Sequence, residues 1–233
     1  MKKKALVMCA VLAAAVWLLA AGAALALDKF KADLKVSEAN TVLRELLSGE
    51  DGEAPRFLLQ RAKAVVVMPG MVKAGFVVGG KYGHGIISVR RADGSWSLPA
   101  FLTMAGGNIG LQIGAESVDL VLMVMNQRGL DGILKNQGQV SANAAVAAGP
   151  VGRSTEAGLT GASLKADVYS YSHSQGAFAG ITIGLDGIEM DPKTDAIYYG
   201  RKIDFQELLK KGVPNPPESA RKLVETLKKY GKK

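Results

Sequence analysis

The stretch Gly75–Gly85, GFVVGGKYGHG, decides which class of fold the chain can adopt. Gly75, four residues, Gly80 and Lys81 match the first seven positions of the phosphate-binding loop, but Tyr82 stands where that loop needs serine or threonine. Such a loop leads from a strand into a helix, whereas the residues here favour strand on both sides. We interpret the stretch as two adjoining strands whose glycines permit bulges and close backbone approach.

Outward from this stretch, short apolar runs alternate with glycine-containing turns, which is typical of strands. Strands are predicted for AKAVVVMPG, VKAGFVVGG, GHGIISVRR, GNIGLQIGA, SVDLVLMVMN, ANAAVAAGPVG and ASLKADVYSYSHS, with a hairpin in AFAGITIGLDGIEM around Asp186-Gly187. Helical periodicity predicts helices over 29–47, 55–62, 203–211 and 217–230, and a short one in QRGLDGILKNQG. The sequence therefore predicts an α+β fold: an antiparallel β core with flanking N- and C-terminal helices in a single domain.

The first 26 residues have the features of a secretory signal peptide. MKKK is a positive n-region, no residue from Ala5 to Leu27 is charged, and Ala24-Leu25-Ala26 resembles a cleavage site. The alternative is an uncleaved membrane anchor, because the apolar run is long enough to span a bilayer. We expect cleavage, and a periplasmic or secreted protein. The single cysteine, Cys9, lies in this segment, so the remaining chain offers no thiol chemistry.

The net charge of +8 is unevenly distributed. Residues 28–200 carry 16 Lys/Arg and 17 Asp/Glu, whereas residues 201–233 carry 10 Lys/Arg and 4 Asp/Glu. The nearly neutral body argues against nucleic-acid binding. The basic C-terminal segment instead fits an anionic surface. We divide the chain into a signal peptide (1–26), an N-terminal helical segment (28–62), a β-rich body (63–201) and a basic C-terminal helical segment (202–233).

Catalytic and metal-binding patterns are weak in this sequence. The two histidines, His84 and His173, are far apart and lack H-x-x-H or H-E-x-x-H spacing. His173 lies among serines in YSYSHS, but no G-x-S-x-G elbow is present. We expect no enzyme, no metal site and no cofactor.

Two amphipathic helices are candidates for membrane contact. In ESARKLVETLKKY the apolar residues share one helix face and the basic residues lie off it. That face either docks on the domain or lies on an anionic membrane. The helix over 29–47 carries the same ambiguity.

The blocks KAGFVVGGKYGHGIISVRRADGSWSLPAFL, GGNIGLQIGAESVDLVLMVMNQRGL, VAAGPVGR, YSYSHSQGAFAG and YYGRKI resemble the SYLF domain family in order and spacing. The resemblance covers Lys63 to Arg201. It implies a compact α+β domain that binds phospholipid head groups, with no catalytic residues, and membrane contact through the segment that maps to about Lys29–Leu47. Some eukaryotic members bind actin, which we consider improbable for an exported chain.

This chain departs from the family pattern in two blocks. His173 and Gln175 stand where basic residues are common, and Thr182-Ile183-Gly184-Leu185 replaces S-L-E-G. If those side chains hold a head group, binding here is weaker or different. Binding would then also be pH-sensitive through His173, since an unperturbed imidazole gains its charge below about pH 6.5.

We therefore predict non-enzymatic binding of anionic phospholipid head groups at a membrane surface. Lysines attract the lipid while an apolar helix face inserts shallowly. The predicted contacts are Lys29, Phe30, Lys31, Leu34, Lys35, Lys73, Lys81 and His173. The alternative is an envelope structural or protein-interaction module without lipid specificity. The sequence indicates neither the lipid nor the oligomeric state.

Overall fold

The computed structural model describes residues 2–134, 145–150, 165–174, 177–180 and 187–232, without side-chain detail for 2–24, 75–78, 108–114, 174, 177 and 180. The described helices are α1 (Lys2–Ser48), α2 (Glu53–Arg61), α3 (Gln127–Leu134), α4 (Pro192–Tyr199), α5 (Phe205–Lys211) and α6 (Glu218–Tyr230). The described strands are β1 (Ala64–Val89), β2 (Ala100–Val124), β3 (Val146–Ala148), β4 (Val168–Ser174), β5 (Ala177–Gly180) and β6 (Ile188–Met190).

A long antiparallel ribbon of β1 and β2 forms the centre of the sheet. The register runs from Ala64 opposite Val124 to Ile87 opposite Ala100, with irregularities at Met68/Met71 and Phe76/Val78. β4 pairs antiparallel with the end of β2, and β3 lies parallel to β4. β5 adds to β4 and β6 adds to the start of β2, both antiparallel. The predicted antiparallel core is confirmed.

The β1–β2 ribbon curls so strongly that the end of β1 lies next to the start of the same strand. The N–H of Arg90, just after β1, donates to the carbonyl of Lys63, just before it, over 2.7 Å. Gly85 lies so close to the first half of the strand that a Cβ there would be 2.6 Å from Cγ of Met68. Only glycine fits such an approach, so this glycine of GFVVGGKYGHG marks a crossing of backbones and not a phosphate loop.

Both faces of the ribbon are buried, because alternate side chains point to opposite sides. Val65, Val67 and Ile86 pack into a cluster with α1, α2 and α6. Ala64, Val66 and Ile87 pack into a second cluster with α3 and α5. The sheet is therefore covered by helices on both faces, as the α+β prediction requires.

Two details differ from the sequence predictions. The three strands predicted between residues 63 and 91 are one strand, because Pro69-Gly70 forms a bulge within β1 and not its end. The hairpin predicted in AFAGITIGLDGIEM around Asp186-Gly187 lies in part outside the described residues; of its described parts, β5 pairs with β4 and β6 pairs with β2. Helix α4 was not predicted.

Candidate functional site

The segment of α1 after residue 24 has two opposite apolar faces. Ala32, Val36, Ala39 and Leu43 are buried against the domain. The other face is exposed, although it is apolar: Leu27, Phe30 and Leu34 have exposed fractions of 51%, 64% and 46%. At 100° per residue, these three lie within one stripe opposite the buried one, whereas Leu25, which is also exposed, lies in line with the buried stripe. The later leucines of the helix predicted over 29–47 are buried, whereas Phe30 and Leu34 are exposed.

Basic side chains flank the exposed stripe. Lys29 and Lys31 are exposed, and Lys35 is half-buried. Lys31 and Lys35 line a cavity of about 390 Å³ with His84, Lys193 and Asp28; its other walls come from β2 and the start of α4. Within the described part of the chain, Lys31 and Lys193 form no ion pair, so both charges are available to an anion.

Two exposed apolar residues of β1, Val72 and Tyr82, are the remaining large exposed hydrophobics of the described chain. The hydroxyl of Tyr82 lies 3.0 Å from Nε2 of His84, and the two rings meet edge to face. Because His84 shares the cavity with Lys31 and Lys35, this part of β1 lies beside the side of α1 that carries these two lysines. The exposed stripe occupies the adjoining face of the same helix.

A chain of hydrogen bonds links this surface to His173. Nζ of Lys35 pairs with Glu38 at 2.8 Å and donates to the carbonyl of Pro69 at 3.3 Å. At the same bulge, the N–H of Gly70 donates to Asp119 at 2.9 Å. Asp119 in turn lies 3.3 Å from Nδ1 of His173. His173 also stacks on Phe178, so its ring is engaged within the sheet between Phe178 and the carboxylate of Asp119.

Two predicted lysines are placed differently. Lys73 is half-buried and lies opposite Glu116 in the register of the ribbon. Lys81 is only 6% exposed. The expectation that Lys81 belongs to an exposed surface is therefore wrong. Successive side chains of a strand point to opposite faces, so Lys81 points inward, whereas Tyr82 and His84 point outward.

Helix α6 docks on the domain, which decides between the two alternatives that the sequence left open. Ala220, Leu223 and Leu227 are at most 1% exposed and pack in the cluster that contains α1. At its start, Ser219 donates to Asp33 of α1 at 2.7 Å and meets the hydroxyl of Tyr198 at 2.6 Å. The apolar face of α6 is therefore used within the fold.

Helix α4 closes the cavity and carries an unusual carboxyl group. Asp191 caps the helix by accepting from the N–H of Thr194, and Pro192 follows it. Asp195 is fully buried; one of its oxygens accepts from the N–H of Phe101 at 2.9 Å, and the other has no partner in the described structure. Burial raises the pKa of Asp195 to about 7, the bond from Phe101 opposes that shift, and the charge of Asp191 adds to it.

The described residues contain no cluster of histidine, cysteine and carboxylate side chains that could hold a metal ion. Among helices whose side chains are described, none is both long and apolar enough to cross a membrane. Helix α1 continues without a break through residue 26, and cleavage there stays a prediction.

Sequence reasoning missed Lys193, Val72 and the role of α4. The signal for α4 was present in DPKTD, where an N-cap aspartate precedes proline at the first helical position. Nothing in the sequence placed Lys193 next to Lys31, because that contact depends on how α4 packs against α1.

Comparison with known proteins finds a family model and several proteins whose sequences are similar to this chain. A family model described as "Ysc84: Las17-binding protein actin regulator" matches residues 105–230. "Protein YSC84" of Saccharomyces cerevisiae is 30% identical over 190 residues, covering 78% of this chain and 40% of its own. "SH3 domain-containing YSC84-like protein 1" of Mus musculus is 32% identical over 205 residues, covering 85% and 59%.

"LAS seventeen-binding protein 3" of Saccharomyces cerevisiae is 33% identical over 171 residues, covering 72% of this chain and 37% of its own. The chain thus spans between about a third and three fifths of the length of these relatives. No solved structure matches. The family model matches more than half of the chain and agrees with the relatives, so the chain belongs to the Ysc84 family, which is the family of the SYLF domain.

Proposed function

We propose that this chain binds anionic phospholipid membranes without catalysing a reaction, through the exposed stripe of α1. The observation that carries the proposal is the second apolar face of α1, since Leu27, Phe30 and Leu34 stay in solvent while the opposite face fills the core. Apolar patches that a fold leaves uncovered mark interaction sites. The predicted export of the chain belongs to the same proposal and directs it to an envelope membrane.

The mechanism combines attraction and shallow insertion. Phe30 and Leu34 enter the boundary between head groups and acyl chains, where each transferred side chain contributes about 1.5–3 kcal/mol at full burial. Lys29, Lys31 and Lys193 lie around that stripe and contribute about 1 kcal/mol each near an anionic surface. The cavity beside Lys31 is the place for one head group.

Vesicle flotation of the processed chain tests both contributions. We expect binding to phosphatidylcholine vesicles that contain phosphatidylglycerol, weaker binding to phosphatidylcholine alone, and a loss of binding as salt rises. Phe30→Ser with Leu34→Ser should reduce binding at every salt concentration without changing thermal unfolding, because both side chains are exposed in the folded chain. Lys31→Gln with Lys193→Gln should reduce it mainly at low salt.

The matched control is Lys210→Gln with Lys211→Gln, which removes the same charge from exposed positions at the end of α5 and should leave vesicle binding unchanged. Equal binding to both kinds of vesicle would refute the electrostatic part. No binding to either would refute the proposal.

A second candidate is a protein-interaction module. The matching family model is described as a Las17-binding actin regulator, and one relative is named a LAS seventeen-binding protein. The same stripe of α1 could dock a protein as well as a membrane. Capture of one defined partner by the wild type but not by Phe30→Ser/Leu34→Ser, with no vesicle binding, would favour this candidate.

A further inference from the structure

A second, strongly cationic groove of about 900 Å³ lies away from the exposed stripe of α1. It is formed by the last turn of α2, the turn that follows β1, and the C-terminal end of α6. Its charged lining consists of one carboxylate and five cations: Asp93, Arg61, Arg90, Arg91, Lys228 and Lys232. Oδ1 of Asp93 accepts from both the N–H and the hydroxyl of Ser95. One carboxylate against five cations leaves the lining with a net positive charge.

The two adjacent arginines are held rigidly without a carboxylate partner in the described structure. Arg90 donates to the carbonyls of Leu59, Ala62 and Gly231 at 2.8–3.2 Å, and burial lowers its pKa. Arg91 donates to the carbonyls of Leu209 and Trp96. These bonds fix the guanidinium groups through neutral carbonyl oxygens, while the carboxylate of Asp93 acts on the charge of Arg91 from the same lining.

Trp96 supplies a donor with no acceptor. Its side chain is 4% exposed, and its indole Nε1 finds no hydrogen-bond partner in the described structure. The ring lies under the guanidinium of Arg90, 4.4 Å from it. Nε1 lies against Gly231, another wall of the groove, where the missing Cβ would be only 3.1 Å away. A buried N–H without an acceptor costs free energy. Because Nε1 is itself buried against Gly231, the ring supports the guanidinium of Arg90 from below and does not present this donor to the groove.

We propose that this groove binds the phosphate groups of a soluble polyanion. The lining offers five cations against one carboxylate, and carbonyl oxygens hold two of those cations in place, so the complementary ligand is an acceptor-only oxyanion. Guanidinium and ammonium groups together suit phosphate oxygens. The volume and the number of cations suit a ligand with several phosphates.

The groove is separate from the proposed membrane surface. Ser219, at the start of α6, contacts Asp33 near the exposed stripe, whereas Lys228 and Gly231 lie at the other end of the helix. Thirteen helical residues span about 20 Å. The inference therefore does not rest on the proposed function.

Fluorescence of Trp96 in the full chain tests the proposal directly. The chain has two tryptophans, so Trp17→Phe leaves Trp96 as the only one. Titration of this variant with tripolyphosphate at constant ionic strength should give a saturable change in emission. Lys228→Gln with Lys232→Gln, on the same background, should weaken the apparent affinity at least about tenfold, because each removes a charge-assisted contact.

Arg221→Gln with Lys222→Gln removes the same charge from the other end of α6 and should leave the affinity unchanged. A response that sodium chloride reproduces, or one that the Lys228/Lys232 variant retains in full, would overturn the proposal. A parallel experiment with vesicles shows whether the bound phosphate belongs to a soluble polyanion or to a lipid head group. If phosphatidic acid vesicles bind through Lys228 and Lys232 while tripolyphosphate does not, the occupant is a lipid head group and the soluble ligand is refuted.

Discussion

Substitution of Asp195 by asparagine should remove a large part of the pH dependence of stability. The buried carboxyl has a pKa of about 7 in the folded chain, against 3.8 in the unfolded one. Protonation therefore favours the folded state, and the stabilisation is complete below the unfolded pKa and is lost as the pH rises towards 7. Between pH 5 and pH 8 this single group should lower the free energy of unfolding by about 2–3 kcal/mol.

Urea unfolding of wild type and Asp195→Asn at pH 5, 6, 7 and 8 measures this effect. Asparagine keeps the oxygen that accepts from the N–H of Phe101 and carries no charge at any of these pH values. The unfolding free energy of the variant minus that of wild type should therefore increase by about 2–3 kcal/mol from pH 5 to pH 8. The comparison cancels the contributions of the two histidines.

A matched variant, Asp51→Asn, removes a negative charge from an exposed turn and checks for a general charge effect. If wild type and Asp195→Asn keep parallel stability curves from pH 5 to pH 8, the carboxyl of Asp195 is ionised throughout. The reasoning from its burial and its unpartnered oxygen would then be wrong.

Three further substitutions probe the fold. Gly85→Val should prevent folding or lower the melting temperature strongly, because its Cβ would overlap the first half of β1; circular dichroism would show this, and a normal melting curve would contradict the crossing. Asp167→Asn leaves one oxygen in place of the two that accept from Asn126, Arg128 and the N–H of Ala145, so it should lower the midpoint of urea unfolding, and an unchanged midpoint would contradict this. Ser219→Ala removes the bridge to Tyr198 and should cost about 1 kcal/mol in the same assay, with an unchanged value contradicting it.

The class of fold follows from local patterns, but the length of the strands does not. Alternating apolar residues and glycines predict strands around Gly75–Gly85, and these form. Pro69-Gly70 has the composition of a turn, yet β1 continues because the N–H of Gly70 is satisfied by Asp119, which is 49 residues away in the chain. A local pattern contains no information about such a partner.

The candidate site could be predicted only in part for a similar reason. The composition of the helix over 29–47 indicates two apolar stripes without showing which one faces the core. Packing of α6 and the sheet selects the stripe with Val36 and Leu43, and leaves Phe30 and Leu34 outside. The inward direction of Lys81 likewise depends on the register of the curled ribbon.

The contact between α1 and α6 also constrains when the protein can finish folding. Ser219 and Asp33 are 186 residues apart, so α1 completes its packing only against a helix that is synthesised much later. Contacts over such a separation form late, because loop closure must precede them. The N-terminal region therefore stays incompletely packed during synthesis and becomes stable only when the C-terminal residues have left the ribosome.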